Sequence, residues 1–243
     1  MTEIFARNSK TDLEAPCRIA IVGARGRMGE RIHALLQSDK HAVVVARFDR
    51  DEAPVDDGHG VDVVIDFSSD AGCREAIKVS AKYGAALLVG TTALSADSLE
   101  LLRECSTRAA VMQCANTSLG VAVTRHLARE AARMLAGSGW SVDIVETHHD
   151  KKLDAPSGTA LALAASLGQG GMTVAADRIH ALRAGDTVGE HEIRLAGPFE
   201  RITITHDAVS RDLFAAGAIR AAKWLKNRAP GMYSLEASLV PEV

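Results

Sequence analysis

Short apolar segments alternate with amphipathic ones along the first half of the chain. The apolar segments, each as long as a buried strand, cover residues 19–22, 42–48, 61–67, 86–90 and 109–115. Between them apolar residues recur at helical spacing, as Met28, Ile32 and Leu35 do. Apolar strands that alternate with helices indicate a parallel sheet covered by helices on both faces.

The pattern changes after Ala115. Amphipathic segments at 118–135 and 210–227 predict two helices. Segments separated by glycine-containing turns predict the strands of an antiparallel or mixed sheet at 141–148, 179–185, 189–197 and 200–208. We therefore predict an α/β fold with two domains. Residues 1–116 form the first, residues 117–216 form a smaller α+β domain with a mixed sheet, and residues 217–243 return to the first domain.

Composition excludes several classes of function. The chain has 243 residues, a formal net charge of −3 with acidic and basic residues mixed, and 4% aromatic residues. Neither the charge nor the stacking surfaces of a nucleic-acid-binding protein are therefore expected. No apolar run approaches the roughly 20 residues of a membrane span, and the polar residues 1–15 do not resemble a signal peptide. We expect neither nucleic acid nor membrane as a partner.

Cysteine usage adds information on the compartment. The four cysteines, Cys17, Cys73, Cys105 and Cys114, are scattered and form no CxxC pair. The spacing indicates neither a zinc site nor a disulfide framework. We expect reduced thiols in a cytoplasmic protein, and no metal site.

Three glycines follow the first apolar segment and precede a helix. Gly23, Gly26 and Gly29 have the spacing GxxGxxG, because Arg25 occupies an intervening position. Backbone amides and the helix dipole at such a turn can hold a pyrophosphate. Asp49 ends the second apolar segment, where a carboxylate can accept hydrogen bonds from ribose hydroxyls. The glycines alone fit a tight turn without a ligand, but this context predicts a Rossmann-like dinucleotide-binding domain.

Polar turns follow two more predicted strands. Asp66, Phe67 and Ser68 end the third apolar segment, and Gly90 and Thr92 follow the fourth. Each turn alone is typical of a helix cap. Because the carboxyl ends of parallel strands lie at one edge of a sheet, the two turns together are expected to line a nicotinamide pocket.

The stretch ETHHDKKLDAPSGTA, residues 146–160, combines proton donors with an anion site. Ser157, Gly158 and Thr159 precede an alanine-rich helix, whose N-terminal amides and hydroxyls can hold an anion. Lys151 and Lys152 add positive charge, and His148 and His149 supply imidazole groups, a type of side chain that can donate a proton near neutral pH. The combination predicts reduction of an anionic substrate, in which a histidine balances the charge that hydride transfer develops.

Other chemistry fits this stretch less well. A zinc site would need HExxH or a Cys/His pattern. A hydrolase nucleophile would need GxSxG, whereas Ser157 lies in PSGT. Two adjacent histidines can also be ordinary surface side chains, but these precede a turn that is suited to binding a carboxylate.

The chain resembles the 4-hydroxy-tetrahydrodipicolinate reductase family, also called dihydrodipicolinate reductases, of the diaminopimelate route to lysine. The resemblance covers most of the chain and is carried by VGARGRMG, VDVVIDFSS, VGTT, ANTSLGV, ETHHDKKLDAPSGTA, LRAGDTVGEHEIRLAG, ERITITHDAVSR and GAIRAAKWL. It implies an NADPH- or NADH-dependent oxidoreductase. The implied substrate is the cyclic dicarboxylate that forms when 4-hydroxy-tetrahydrodipicolinate loses water, and the product is tetrahydrodipicolinate.

The resemblance also implies roles for individual residues. His148 would be the general acid and Lys152 would assist it, and substrate binding would fall to His149, Ser157, Gly158 and Thr159. The implied cofactor-binding residues are Gly23, Gly26, Arg27, Met28, Asp49, Arg50, Phe67, Gly90, Thr91, Thr92, Ala115, Asn116 and Thr117. Members of the family are homotetramers, and the sheet of the second domain makes the contacts between subunits. The resemblance therefore assigns both substrate binding and oligomerisation to the domain at 117–216.

The chain departs from the family pattern in two places. The family usually has ANFS where this chain has ANTS, so Thr117 is expected to leave out an aromatic contact to the nicotinamide. Many members also have a longer connection where this chain has DEAPVDDGHG. Either the sheet lacks a short strand–helix unit or the chain belongs to a compact subgroup.

Two other functions share the glycine turn. A non-catalytic dinucleotide-binding sensor would not need His148, His149 and Lys152 together. Another dehydrogenase, of the aspartate or homoserine type, would not explain the PSGT turn directly behind the histidines. The cofactor choice stays open, because Asp49 favours NADH and Arg50 favours the 2′-phosphate of NADPH.

Overall fold

A computed structural model of the protein describes residues 15–50, 55–56, 58 and 60–239. The first half of the chain forms β1 (Cys17–Val22), α1 (Arg27–Leu36), β2 (Ala42–Phe48), β3 (Val55–Asp56), β4 (Val63–Asp66), α2 (Asp70–Tyr83), β5 (Ala86–Val89), α3 (Ala96–Ser106) and β6 (Ala110–Gln113). The second half forms α4 (Leu119–Leu135), β7 (Ser141–His148), α5 (Gly158–Gln169), β8 (Ile179–Arg183), β9 (Gly189–Ala196), β10 (Arg201–Ala208), α6 (Asp212–Leu225) and β11 (Gly231–Tyr233). Two short 3₁₀ helices cover Ala176–Arg178 and Glu236–Leu239.

The first sheet has seven strands in the order β11-β6-β5-β4-β1-β2-β3. All of its pairs are parallel except β2–β3. The central strands are buried over their whole length, as expected for a sheet with helices on both faces. The predicted Rossmann-like α/β architecture is confirmed.

Two short strands extend this sheet beyond the prediction. β11 adds a parallel edge strand beside β6. β3 lies in the connection DEAPVDDGHG and pairs antiparallel with β2, while the remaining residues of that connection, apart from 58 and 60, lie outside the described residues. The short connection therefore carries an edge strand.

Local capping sets where the helices begin. Ser95 accepts a hydrogen bond from the Ser98 amide, so α3 begins at Ala96. Ser69 caps α2 in the same way, through the Gly72 amide. That cap places the start of α2 at Asp70. Gly84, with a φ of 62°, ends α2 in the left-handed conformation that glycine favours.

The second sheet has four strands in the order β10-β9-β7-β8. β7 and β8 run parallel and the other pairs run antiparallel, so the predicted mixed sheet is confirmed. One face of the sheet packs against α4 and α5 through Ile144, Ile193, Leu163 and Leu167, all of them almost fully buried.

The chain then returns to the first sheet. α6 packs against α1 and against β4 and β5, and its buried face joins the same core as Ile19 and Ile65. Gly217 allows the closest approach, because a Cβ there would lie 1.8 Å from the Thr117 carbonyl oxygen. We propose that the two sheets with their helices are separate domains, with changeovers near the predicted positions 116–117 and 216–217.

Two negative observations concern the described part of the chain. No helix there combines the length and the apolar character that crossing a membrane requires. No group of His, Cys, Asp or Glu side chains among those residues is arranged to hold a metal ion. All four cysteines are free thiols.

Candidate active site

Close packing explains the glycine turn after β1. Gly23 has a φ of 77°, and a Cβ there would lie 2.6 Å from the Phe67 carbonyl oxygen. A Cβ on Gly29 would lie 2.3 Å from the Gly23 carbonyl oxygen. Gly26 is the N-cap of α1 and has no side chain to cover the first turn of that helix. The turn therefore offers amides that an anion can approach closely.

A cavity of about 670 Å³ lies beside this turn. Its lining includes Gly23, Gly26, Asp49, Arg50 and Phe67. The Asp49 carboxylate accepts from the Arg25 amide at 2.8 Å and from the Arg50 amide at 2.9 Å. These two amides lower the pKa of Asp49. The carboxylate is thus ionised and fixed between the glycine turn and the end of β2.

The ends of β4 and β5 interlock next to this cavity. The Phe67 ring lies so close to Gly90 that a Cβ there would be 2.1 Å from a ring carbon. Thr91 is buried, and its hydroxyl accepts from the Ser68 amide at 2.8 Å. Burial raises the pKa of Asp66, although hydrogen bonds from Ser68 and Thr91 act against this rise. Thr91 therefore joins the two turns to each other.

A second cavity, of about 650 Å³, lies between the two sheets. It brings together predicted residues from both halves of the chain: Thr92, Ala115, Asn116, His148, His149, Lys152, Ser157, Gly158 and Thr159. Gln113 and Cys114, at the end of β6, belong to the same lining. The two cavities therefore follow the carboxyl edge of the first sheet, where ligands of such folds bind.

The PSGT turn begins α5 inside the second cavity. Ser157 caps the helix by accepting from the Ala160 amide at 3.1 Å, and its side chain is buried. Gly158 has open space around its Cβ position, and the Thr159 hydroxyl accepts from the Asn116 amide group at 3.2 Å. The first amides of a helix lack partners within the helix, so an anion can bind here.

His148 contacts a buried carboxylate. Its Nδ1 contacts the Oε2 of Glu146, a residue with no exposed surface. Burial alone would raise the pKa of Glu146, but hydrogen bonds from His148, Arg183 and the Ser157 amide hold that pKa below its ordinary value. The Nδ1 atom is engaged by a carboxylate, so Nε2 is the nitrogen left for proton transfer.

Two further histidines pack behind His148, the nearer one edge to face. Ring centroids lie 5.2 Å apart between His148 and His191, and 5.7 Å apart between His191 and His206. Burial lowers the pKa of His191 from 6.5 to about 4, and burial also lowers the pKa of His206. Both are therefore neutral near pH 7, and His148 is the member of this cluster that contacts a carboxylate.

Cationic side chains surround the cavity. Lys152 Nζ donates to both carboxylate oxygens of Asp154, and an Arg211 nitrogen lies 3.2 Å from His149 Nε2. Arg125 lines the cavity and pairs with Glu236 at 2.9 Å. Neither Arg125 nor Arg211 is among the residues predicted from the sequence. Arg125 lies in an amphipathic helical segment, where its position does not distinguish it from the other polar residues of that helix. Arg211 is the last residue of ERITITHDAVSR, one of the stretches that resemble the family.

Some predicted cofactor residues lie outside the two cavity linings. They are Arg27, Met28, Gly90, Thr91 and Thr117. Arg27 is exposed at the start of α1, whereas Met28 packs against the core. Thr117 is buried, and its hydroxyl donates to the Phe214 carbonyl at 2.7 Å. Its side chain therefore secures the start of α6 and does not reach a cavity.

Comparison with known proteins agrees with this architecture. Family profiles described as dihydrodipicolinate reductase N-terminus and C-terminus match residues 17–117 and 120–239. The 4-hydroxy-tetrahydrodipicolinate reductase of Stenotrophomonas maltophilia is 40% identical over 235 residues, covering 90% of this chain and 96% of that protein. The enzyme of the same name from Caulobacter vibrioides is 36% identical over 253 residues, covering 92% and 97%.

A solved structure shares the fold. The dipicolinate-bound dihydrodipicolinate reductase from Paenisporosarcina sp. TG-14 superposes with a TM-score of 0.71 at 21% identity, covering 91% of this chain and 99% of that one. With both profiles matched along nearly the whole described chain, the chain belongs to the dihydrodipicolinate reductase family, the pyridine-nucleotide-dependent oxidoreductases of the diaminopimelate route to lysine.

Proposed function

We propose that this protein reduces dihydrodipicolinate, formed when bound 4-hydroxy-tetrahydrodipicolinate loses water, to tetrahydrodipicolinate. The observation that carries the proposal is the second cavity. There the His148–Glu146 pair, Lys152 and the start of α5 meet the carboxyl ends of β5 and β6. A proton donor and an anion site thus lie beside the strand ends at which a Rossmann-like domain presents its cofactor.

The first cavity fits a pyridine nucleotide. A bound reduced nucleotide supplies the hydride. Gly23 and Gly26 leave the first turn of α1 open to a pyrophosphate, and a side chain at Gly23 would collide with the Phe67 backbone. Asp49 and Arg50 at the rim of this cavity would hold the adenosine ribose. We propose that both NADH and NADPH are used.

His148 supplies the proton. Hydride addition at C4 of the conjugated imine leaves electron density at the neighbouring ring carbon, which then takes up one proton. The Nε2 atom of His148 is placed to give it, since Nδ1 is engaged by Glu146. The neutral state of His191 leaves that residue without a proton to give near pH 7.

Two groups of residues would hold the two substrate carboxylates. Lys152, the Thr159 hydroxyl and the amides at the start of α5 form one anion site. Arg211, with His149 beside it, places a second positive charge across the same cavity. A dicarboxylate with its acid groups on opposite sides of a ring nitrogen fits this division.

A turnover assay separates the proposal from its alternatives. Purified protein is incubated with either nucleotide and freshly generated 4-hydroxy-tetrahydrodipicolinate, and the nicotinamide absorbance is followed. We expect rapid oxidation of the reduced nucleotide with this substrate, and no reduction of NAD⁺ or NADP⁺ with aspartate or homoserine. Nucleotide binding without turnover would indicate a sensor. Turnover of aspartate or homoserine alone would indicate another dehydrogenase.

Oligomerisation and location complete the proposal. We propose a homotetramer that associates through the outer face of the second sheet, away from α4 and α5. Val145 and Leu182 lie on that face, and Leu182 is half exposed. Light scattering of the purified protein tests the tetramer. We also place the protein in the cytoplasm, since its four cysteines are free thiols and thiols stay reduced there.

A further inference from the structure

Glu146 connects three parts of the candidate site. It lies on β7, two residues before His148, and its side chain points to the inner face of the sheet. One carboxylate oxygen accepts from the Ser157 amide at 3.1 Å, and the other contacts His148 Nδ1. The proton donor and the N-cap of the anion turn are therefore held by one carboxylate.

Arg183 extends this connection to the loop that carries Lys152. β8 runs parallel to β7 with Arg183 in register with His148, which brings the guanidinium within 3.3 Å of Glu146. The same guanidinium donates to the Lys152 carbonyl at 3.2 Å and to the Asp154 carbonyl at 2.6 Å. Arg183 thus binds the buried carboxylate and the backbone on both sides of Leu153.

Burying the Glu146 carboxylate costs free energy of folding. A fully buried carboxylate loses its hydration, and burying an ion pair contributes little net stability compared with apolar residues. Here three groups from separate elements surround one carboxylate: His148 and Ser157 line the second cavity, and Arg183 binds the backbone of the loop that carries Lys152. The geometry favours a role in preorganising that cavity over a role in stability.

We propose that Glu146 and Arg183 are positioning residues. Glu146 orients His148 so that Nε2 faces the reaction, and it aligns Ser157 at the start of α5. Arg183 keeps Glu146 ionised and holds the loop on which Lys152 approaches the same substrate. The inference rests on the proposed reduction, in which His148 is the general acid.

Glu146→Gln tests the first half of this proposal, because it keeps the size of the side chain and removes the charge. We expect kcat to fall by about 10- to 1,000-fold, as when a carboxylate that orients a catalytic histidine is neutralised. The Kd of NADPH should change little, and kcat is measured well below the melting temperature, which should fall because Arg183 loses the charge of its buried partner. Arg133→Met is the matched control for the Arg183→Met variant described below. It removes another arginine with two bonds to a single glutamate, on α4 away from both cavities, and should leave kcat unchanged.

A double-mutant cycle shows whether Glu146 acts through His148. If it does, Glu146→Gln should cost less than about twofold in kcat when introduced into His148→Gln, because the orientation of His148 no longer matters. Multiplicative losses in the double variant would overturn the proposal. If Glu146→Gln does not fold, Arg183→Met takes its place in the same cycle.

Arg183→Met tests the second half. We expect a lower kcat together with a KM and a pyridine-2,6-dicarboxylate Kd raised by at least about fivefold, because both His148 and the Lys152 loop lose their support. An unchanged inhibitor Kd would overturn the role of Arg183. Wild-type protein without turnover would instead refute the proposed function, and a fully active His148→Gln would remove His148 from the mechanism. Multiplicative losses of kcat in an otherwise active enzyme would refute only the positioning role.

Discussion

Lys152 is paired with Asp154 across one intervening residue: its Nζ lies 2.8 Å from each carboxylate oxygen. Asp154 is 62% exposed, whereas Lys152 is 21% exposed and lines the second cavity. The lysine therefore holds an internal carboxylate at the mouth of the site where a substrate carboxylate is proposed to bind. Substrate binding would exchange one carboxylate for the other.

Replacing the lysine should weaken substrate binding. Lys152→Ala removes a charge-assisted hydrogen bond of about 1.5–3 kcal/mol, so we expect KM to rise about 10- to 100-fold. The Kd of pyridine-2,6-dicarboxylate, measured by calorimetry, should rise in parallel. Lys151→Ala, at an exposed neighbouring position, is the control and should change neither value. Unaltered inhibitor binding in Lys152→Ala would place the anion site elsewhere.

Removing the competing carboxylate should have the opposite effect. Asp154→Asn keeps the backbone carbonyl that Arg183 uses and frees the lysine charge. Exposed ion pairs contribute about 0.2–1 kcal/mol, so the gain in inhibitor affinity should not exceed about fivefold. Inhibitor Kd at low and high salt measures it, and the gain should shrink as salt rises. Weaker inhibitor binding in this variant would show that Asp154 itself supports the ligand.

His148→Gln should separate chemistry from binding. The loss of a general acid lowers kcat by roughly 10²–10⁴. The Kd of the nucleotide should stay within about twofold of the wild type, because Asp49 and the glycine turn lie in the other cavity. Steady-state kinetics and a fluorescence titration of nucleotide measure the two values. The control is His126→Gln, at an exposed position on α4, which should leave kcat unchanged. Wild-type-like turnover in His148→Gln would remove His148 from the mechanism.

Cofactor preference should respond in opposite directions to two neighbouring changes. Asp49→Ser removes a carboxylate that can accept from ribose hydroxyls, so NADH should be weakened more than NADPH. Arg50→Ala should weaken NADPH more, because a guanidinium pairs with a phosphate. The kcat/KM for both nucleotides is compared at one fixed ionic strength. Shifts in the same direction would show that these two residues do not read the ribose.

Asp49 also has a structural role at the rim of the first cavity. Both of its oxygens already accept from backbone amides, of Arg25 and Arg50. Some loss of affinity for both nucleotides should therefore accompany Asp49→Ser. The ratio of the two kcat/KM values, which cancels that common loss, is the informative quantity.

His191 should make stability depend on pH. The unfolded chain binds a proton at this residue below about pH 6.5, but the folded protein keeps it neutral down to about pH 4. The unfolded state therefore binds more protons between these values, and the free energy of unfolding falls as pH falls through that window. The full shift corresponds to a loss on the order of 3 kcal/mol.

Urea denaturation from pH 7 to pH 4 tests this dependence. His191→Leu, of similar volume and without a titratable group, should lose less stability over this range than the wild type. His41→Asn, at an exposed position, should behave like the wild type. Equal slopes for His191→Leu and the wild type would show that His191 is not kept neutral by the fold.

The contiguous part of the candidate site could be predicted from the sequence. His148, Lys152 and Ser157 lie within ten residues of one another, and their chemical types and the following helix indicate an anionic substrate. Arg183 and Arg211 could not be found in this way. Arg183 reaches Glu146 across 37 positions and Arg211 reaches His149 across 62, through the register of β7 with β8 and the return of the chain.

The strands also divide into those that the sequence predicts and those that it does not. Long apolar runs predicted every strand whose whole length is buried, because periodicity reports burial. β3 and β11 have two and three residues, too few for any periodicity, and they are defined by pairing with β2 and β6. Thr117 was expected at the cofactor from the family pattern, but its hydroxyl bonds Phe214, 97 positions away.

The return of α6 and β11 to the first sheet has a consequence for how the chain can be divided. Ala215, Ala218, Ile219 and Leu225 complete the apolar layer over β4 and β5, so residues 17–117 alone leave that layer open to water. The native packing of the first sheet therefore requires residues from near both ends of the described chain. A fragment that stops near residue 117 lacks α6 and β11 and would expose apolar surface that the whole chain buries.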